Sequence, residues 1–179
     1  MPNKFRWQLG EDFTIDLSQY CKKAKINDKT ITTNNNKPFN RYLKCNYNLG
    51  YIFGTFLGDG NSKIHVHNNK ESASCHWSFD TYETNIGNKL KECIKKELNY
   101  ICTSNIKDGK VLIVNCYNKY LAKLLHGFSK RTNKHLPKEY YCNNKNYIQG
   151  LFDGLIDSDG YIETTKTKKH IYVLSNTSK

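Results

Sequence analysis

The chain has 179 residues, 37% hydrophobic and 13% aromatic, which excludes a disordered basic tail and leaves room for one sizeable core or two small halves. Its net charge of +12 points to a polyanionic partner, nucleic acid foremost, while no apolar run is long enough to span a bilayer, so no membrane partner is expected. Only 3 of the 28 basic residues are Arg, and 22 Asn accompany 25 Lys; that bias also fits A/T-rich coding sequence, so charge is supporting evidence only.

Residues 1–45 carry Phe5, Trp7, Phe13, Ile15 and Leu17, which predict some packed structure, and Thr30 to Asn40 reads as a linker through Asn34-Asn35-Asn36-Lys37-Pro38. Seven cysteines (21, 45, 75, 93, 102, 116, 142) form no C-x-x-C pair, and Met1-Pro2-Asn3-Lys4 opens directly into polar sequence. Free thiols acting as small hydrophobes in an intracellular, reducing compartment are expected.

The rest of the chain is organised by a repeat. Asn46-Tyr47-Asn48-Leu49-Gly50-Tyr51-Ile52-Phe53-Gly54-Thr55-Phe56-Leu57-Gly58-Asp59-Gly60 returns as Asn146-Tyr147-Ile148-Gln149-Gly150-Leu151-Phe152-Asp153-Gly154-Leu155-Ile156-Asp157-Ser158-Asp159-Gly160, with Asn, Tyr, Gly, Gly, Asp and Gly in register. The expected domains are an N-terminal extension or connector at 1–45, a first repeat at 46–145 and the start of a second at 146–179.

Leu49, Ile52, Phe53, Phe56 and Leu57 have helical spacing, with Gly50, Gly54 and Gly58 on another face. Glycine disfavours a helix interior by roughly 1 kcal/mol against alanine, so a stripe of three implies close approach by another helix. The second copy carries Gly150, Gly154 and Ser158 in the same stripe, and the two helices are expected to pack along these faces. The period then changes to two. Lys63, His65 and His67 alternate with Ile64 and Val66; after a polar turn at Asn68 to Ser72, Cys75, Trp77 and Phe79 alternate with Ser74, His76 and Ser78. That predicts a hairpin with one apolar and one polar face. Asp80-Thr81 caps a helix carrying Ile86, Leu90, Ile94 and Leu98 inward. A second hairpin runs Ile101 to Ile106 and Val111 to Tyr117 through Lys107-Asp108-Gly109-Lys110, and Tyr117, Leu121, Leu124, Leu125 and Phe128 form a closing helix stopped near Gly127. After the second motif come two strands, Tyr161 to Thr165 and His170 to Leu174, and Ser175-Asn176-Thr177-Ser178 has the composition of a helix cap.

Asp59 and Asp159 end their helices, facing the negative end of the macrodipole. If the helices run parallel the two carboxylates converge, which would raise one pKa sharply unless a cation lies between them. Hard oxygen ligands with open positions suit Mg²⁺ or another divalent cation that accepts phosphate oxygens.

Phe152-Asp153-Gly154-Leu155-Ile156-Asp157-Ser158-Asp159-Gly160 resembles the LAGLIDADG motif, and Leu57-Gly58-Asp59-Gly60 is similar to its first-copy form. Asn133-Lys134-His135-Leu136-Pro137 resembles the Lys-x-(aliphatic)-Pro block of the same family. Over roughly residues 40–178 the chain resembles the LAGLIDADG (dodecapeptide, DOD-type) homing endonucleases, particularly those carried by inteins. The resemblance implies an α+β, pseudo-two-fold αββαββα architecture whose antiparallel saddle sheets lie in the major groove of double-stranded DNA. It further implies metal binding by Asp59 and Asp159, and a catalytic lysine at Lys134, which otherwise reads as a phosphate-positioning or plain surface lysine. A β-ribbon entering the major groove makes Lys63, His65, His67, Ser74, His76 and Ser78 candidate DNA contacts, with Lys107 and Lys110 reaching phosphates. His65-x-His67 near Cys75-His76 does not require zinc, because strand alternation explains the pair.

About 77 residues separate Gly60 from Pro137, whereas 19 follow Gly160, so the second repeat reads as incomplete. A fragment of a longer protein, a split enzyme completed by a second chain, and a decayed remnant all fit. Met1-Pro2 offers no splicing nucleophile and no His-Asn pair ends the chain, so self-splicing is not expected. The expected function is metal-dependent double-strand cleavage at a long DNA site, weak or absent in this chain alone; the alternative is a non-cleaving nucleic-acid-binding protein or RNA maturase on the same scaffold.

Overall fold

A computed structural model describes residues 10–21, 24–33, 37–128, 133–164 and 170–174, with backbone alone at 161–164 and 170–174. Its first five strands are short: β1 (Thr14–Asp16), β2 (Lys25–Ile26), β3 (Thr30–Thr32), β4 (Phe39–Asn40) and β5 (Tyr42–Lys44). β1 pairs with β5, and β2-β3-β4 form a small antiparallel sheet. The stretch read as a linker therefore holds two paired strands. Ile31 opposite Phe39 is the reason: both are buried, and the apolar gain offsets a polar neighbourhood that reads as loop. Residues 34–36 of that stretch, and Phe5 and Trp7, lie outside the described residues. Ile15 and Leu17 are buried as expected, and Arg41 chelates Asp16 through Nε (2.9 Å) and Nη2 (2.6 Å).

Helix α1 (Tyr47–Asp59) begins at Asn46, whose Oδ1 accepts from the Leu49 amide at 3.0 Å. β6 (Gly60–His67) and β7 (Lys70–Asp80) come next as a hairpin, and Asp80 with Glu83 forms a capping box over a 3-10 turn that leads into α2 (Thr84–Leu98). The hairpin turn is tighter than the sequence suggests. It consists of Asn68 and Asn69 alone, with φ of 47° and 57°, the left-handed pair that matches strand twist and that Asn tolerates. β8 (Thr103–Lys107) and β9 (Val111–Cys116) complete a four-stranded sheet of order β6-β7-β9-β8, and α3 (Lys119–His126) closes the unit. Ile101 and Tyr117 are 71% and 63% exposed and sit outside the elements expected to hold them. Asn118 cuts off Tyr117 by capping α3, accepting from the amides of Tyr120 and Leu121.

One face of this sheet is the core. Ala73, Cys75, Trp77, Phe79, Leu112, Val114 and Cys116 point inward onto Leu49, Ile52, Phe53 and Phe56 of α1, with Leu90 and Ile94 of α2 and Leu121, Leu124 and Leu125 of α3. Phe56 meets Trp77 edge-on at 6.0 Å. Strands β1, β3, β4 and β5 share that core through Ile15, Ile31, Phe39 and Leu43, joined by Leu17 from the 3-10 turn after β1. Glu97, buried in the last turn of α2, accepts from the Lys44 amide (2.5 Å) and from Asn46 Nδ2 (2.6 Å), so the end of one helix fixes the start of another.

α4 (Lys145–Asp159) is capped by Asn144 and runs into the antiparallel hairpin β10 (Gly160–Thr164) and β11 (His170–Leu174). The helix-then-hairpin order of α1-β6-β7 thus recurs in α4-β10-β11 within a mixed α+β architecture of antiparallel sheets. Ser175 to Ser178, read as a helix cap, lies outside the described residues. No helix among those described is long and apolar enough to cross a membrane.

Candidate metal centre and nucleic-acid interface

The glycine stripes set the site. A methyl group at Gly50 would overlap the Tyr147 carbonyl oxygen, and one at Gly150 the Tyr47 carbonyl oxygen. Gly54 and Gly154 repeat the relation with the carbonyls of Leu151 and Tyr51, and a methyl on Gly54 would lie 3.0 Å from the Cα of Gly154. The backbones touch where only glycine fits, so the two helices lie closer than side-chain packing permits. Because 50 meets 147–151, 54 meets 151–155 and 58 meets 158–159, α1 and α4 run parallel. Their C-terminal ends come together.

Asp59 and Asp159 are thereby neighbours. The Cβ position of Gly58 is 3.2 Å from Asp159 Cγ, and Ser158, in the place of the stripe's third glycine, turns its hydroxyl back to the Gly154 carbonyl at 2.8 Å. Among the described residues neither carboxylate has a hydrogen-bond or ion-pair partner. Burial, then the charges of Asp159 and Glu83, push the Asp59 carboxyl up to about 7, against the opposing pull of Lys134. A carboxylate pair left this way at two helix C-termini is an oxygen-donor set with surplus negative potential, and a hard divalent cation fits it.

Lys134 reaches the same place from the segment before α4. Its ammonium donates to the carbonyls of Phe56 (3.1 Å), Gly58 and Gly60 (3.1 Å) where α1 ends and β6 begins, and the Phe56 carbonyl also accepts from the Gly60 amide. An ammonium has three protons, and all three are taken. Burial pushes its pKa down while Asp159 and Asp59 pull it up. Lys134 thus caps the helix and faces both acids electrostatically.

The other two acids of the second motif are engaged. Tyr47 Oη donates to Asp153 Oδ2 and Tyr51 Oη to Asp157 Oδ2, each at 2.7 Å; Lys89 of α2 meets Asp157 at 3.0 Å and lies over the Tyr51 ring at 4.2 Å. This network ties α1 to α4 on the N-terminal side of the acid pair and so locks their register. Sequence reading missed Lys89, Tyr51 and Asp157, and nothing local signals contacts between residues 68 and 106 positions apart.

Six candidate DNA-contact residues occupy one face. Lys63 stands opposite Ser74, His65 opposite Ser72, His67 opposite Lys70, and His76 between Asn61 and Asn115, while Ser78 faces Ile113. Lys63, His65, His67 and Ser78 are exposed; Ser74 and His76 are half-buried, and burial with Lys63 nearby lowers the His76 pKa. Cys75 points to the opposite, buried face, away from His65 and His67. Lys107 continues the outward row from β8, and Lys110 lies in the turn after Asp108 and Gly109. Asn61 of β6, Thr103 and Asn105 of β8, and Asn115 of β9 share this face and were missed, although the period-two alternation of β9 marks Asn115; Asn115 donates to Asn105 at 2.8 Å. The polar face starts next to the acid pair, since Asp59 directly precedes β6.

No family model matches the chain. It is 27% identical over 170 residues to the DNA-directed RNA polymerase subunit Rpo1C of Methanocaldococcus jannaschii, a match covering 90% of this chain and 18% of that protein. Solved structures similar to it include a point mutant of I-SmaMI (TM-score 0.42, 12% identity, 69% of this chain and 65% of that one). I-SmaMI bound to uncleaved DNA target in the presence of calcium ions aligns at TM-score 0.39 with 11% identity over 70% of this chain and 65% of that one. The meganuclease I-SmaMI bound to uncleaveable DNA aligns at TM-score 0.37 with 12% identity over 70% and 63%. The chain spans less than two thirds of each of these proteins.

Proposed function

We propose that this chain is a metal-dependent DNA endonuclease of the LAGLIDADG homing type, in which Asp59 and Asp159 hold Mg²⁺ or a similar divalent cation and the outward sheet face binds duplex DNA. The observation that carries the reading is the convergence of two otherwise unpaired carboxylates at the ends of parallel, glycine-packed helices. When bound, such a cation polarises a phosphodiester and lowers the pKa of a nucleophilic water. The chain's own residues supply the rest. The glycine contacts fix the spacing of the two acids, and the Lys89–Asp157–Tyr51 network fixes their register. Lys134 neutralises the end of α1 and holds its terminal turn beside the acids. Lys63, Lys107 and the polar side chains between them meet phosphates and base edges along the groove.

The test has two stages. A duplex site is first selected by binding from a randomised pool, and its cleavage is then followed with and without Mg²⁺ for the wild type, Asp59→Asn and Asp159→Asn. Mg²⁺-dependent double-strand cleavage that each substitution lowers by about a hundredfold or more, with binding retained, is the expected result. Cleavage surviving both substitutions overturns the site. Specific binding without cleavage in Mg²⁺ or Mn²⁺ selects the non-cleaving reading instead.

A further inference from the structure

At the opposite ends of α1 and α4 three segments meet around a second set of ligand atoms. Cys45, immediately before the cap of α1, and Cys142, two residues before the cap of α4, are both buried, with their sulfurs 2.9 Å apart. The carboxylate of Asp12 joins them, so that one oxygen and two sulfurs all lie within 4.8 Å of one another. The geometry is held from outside. Cys45 N donates to the Phe13 carbonyl (3.1 Å), Gly10 N to the Tyr141 carbonyl (3.1 Å), and Asn143 N to the Gly10 carbonyl (3.2 Å). Asn144 Nδ2 donates to Asp12 Oδ2 at 2.8 Å, orienting the carboxylate while its own Oδ1 caps α4.

From this arrangement we infer a binding site for a thiophilic divalent cation of the Zn²⁺ class, with Cys45, Cys142 and Asp12 as ligands and a fourth position open to water beside the exposed Asp12. Two thiols that merely pack, or that merely cross-link, have no use for a carboxylate held against them by a separate hydrogen bond. Two sulfurs and an oxygen oriented by an outer amide are the donor pattern of a zinc centre. Tetrahedral coordination at about 2.3 Å per sulfur puts the two sulfurs about 3.8 Å apart, so they need to part by less than an ångström. Soft thiolates select Zn²⁺ over Mg²⁺, so this centre does not compete for the cation expected between Asp59 and Asp159. The centre ties residues 10–13 to the starts of both long helices. It does not depend on the nuclease reading, because the two sites lie about 20 Å apart along the helices.

The test uses the full chain, purified under reducing conditions without added metal and titrated with Cd²⁺ and then Zn²⁺. One tightly held equivalent, the ultraviolet thiolate-to-cadmium charge-transfer band and a rise in Tm with Zn²⁺ are expected. Cys102→Ser, which alters a buried thiol elsewhere, leaves all three unchanged. Cys45→Ala/Cys142→Ala abolishes them. Should that double variant fail to fold, Asp12→Asn decides, since Asp12 is exposed and its loss is expected to weaken Cd²⁺ and Zn²⁺ by about tenfold or more. Unchanged affinity in Asp12→Asn overturns the three-ligand site. So does a reduced protein with all seven thiols titratable and no retained metal. An unreduced protein that yields a Cys45–Cys142 cross-linked peptide and two fewer thiols shows a disulfide in place of the metal site, and overturns the inference equally.

Discussion

Asp59 is a carboxyl that the fold keeps protonated well above the pH at which a free aspartate ionises. Its pKa stands at about 7 against an ordinary 3.8, with burial, Asp159 and Glu83 pushing it up and Lys134 pulling it down. The folded protein therefore keeps a proton that the unfolded chain releases. The stability contributed by that proton is present in full below about pH 4 and is lost as pH rises through 7. Thermal denaturation from pH 4 to 8 without divalent metal should show the wild type losing Tm across this window while Asp59→Asn, which has no proton to lose, stays flatter. Parallel curves for the two proteins sink the assignment. The same proton competes with a cation, so affinity for Mg²⁺ should improve as pH rises through 7. Lys134 makes the complementary case. Lys134→Met removes three charge-assisted hydrogen bonds where α1 runs into β6, the Phe56 carbonyl alone keeping a second donor in the Gly60 amide, and a loss of about 1–3 kcal/mol by chemical denaturation is expected. An unchanged midpoint means that the cap contributes nothing and that the lysine is retained for another reason.

Between elements, the α1–α4 contact decides whether the two acids meet at all. Gly54→Ala drives a methyl group into the Leu151 carbonyl, a backbone atom that no rotamer change can move aside. The helices must separate, and a loss of about 3 kcal/mol or more is expected. Gly109→Ala is the control, because φ there is +67° in open space and only the backbone strain of roughly 1–2 kcal/mol applies. Equal losses in the two variants contradict the close-packed interface. The stripe was legible in the sequence because steric exclusion writes itself as a local, in-register pattern. So were the hairpins, whose period of two marks the buried face directly. The pairing of Ile31 with Phe39 was not, since two short strands in an Asn-rich stretch are stabilised by a core that local composition does not display. Lys134 was legible as a motif lysine, but its attachment to three carbonyls was not. Backbone acceptors carry no side-chain signature, and the partners sit 74 to 78 positions away.

For the molecule as a whole, a charge of +12 favours a polyanionic partner but does not say which surface would meet it. The sheet answers with a one-sided distribution. Its inner face is apolar core, while its outer face carries Lys63, Lys70, Lys107 and three histidines. If duplex DNA lies on that outer face, each lysine that neutralises a phosphate contributes about one to the slope of log affinity against log salt. Lys63→Ala and Lys107→Ala should each lower the slope by about one and weaken all sequences alike. Replacing Ser78 or Asn115, which reach base edges in this reading, should leave the slope in place and relax the sequence preference. Lys134→Met separates these roles, because its ammonium is spent on backbone carbonyls and should add nothing to the slope despite removing a positive charge. A slope that falls with Lys134→Met and stays constant with Lys63→Ala and Lys107→Ala puts the DNA on a different surface, and severs the sheet from the acid pair it adjoins.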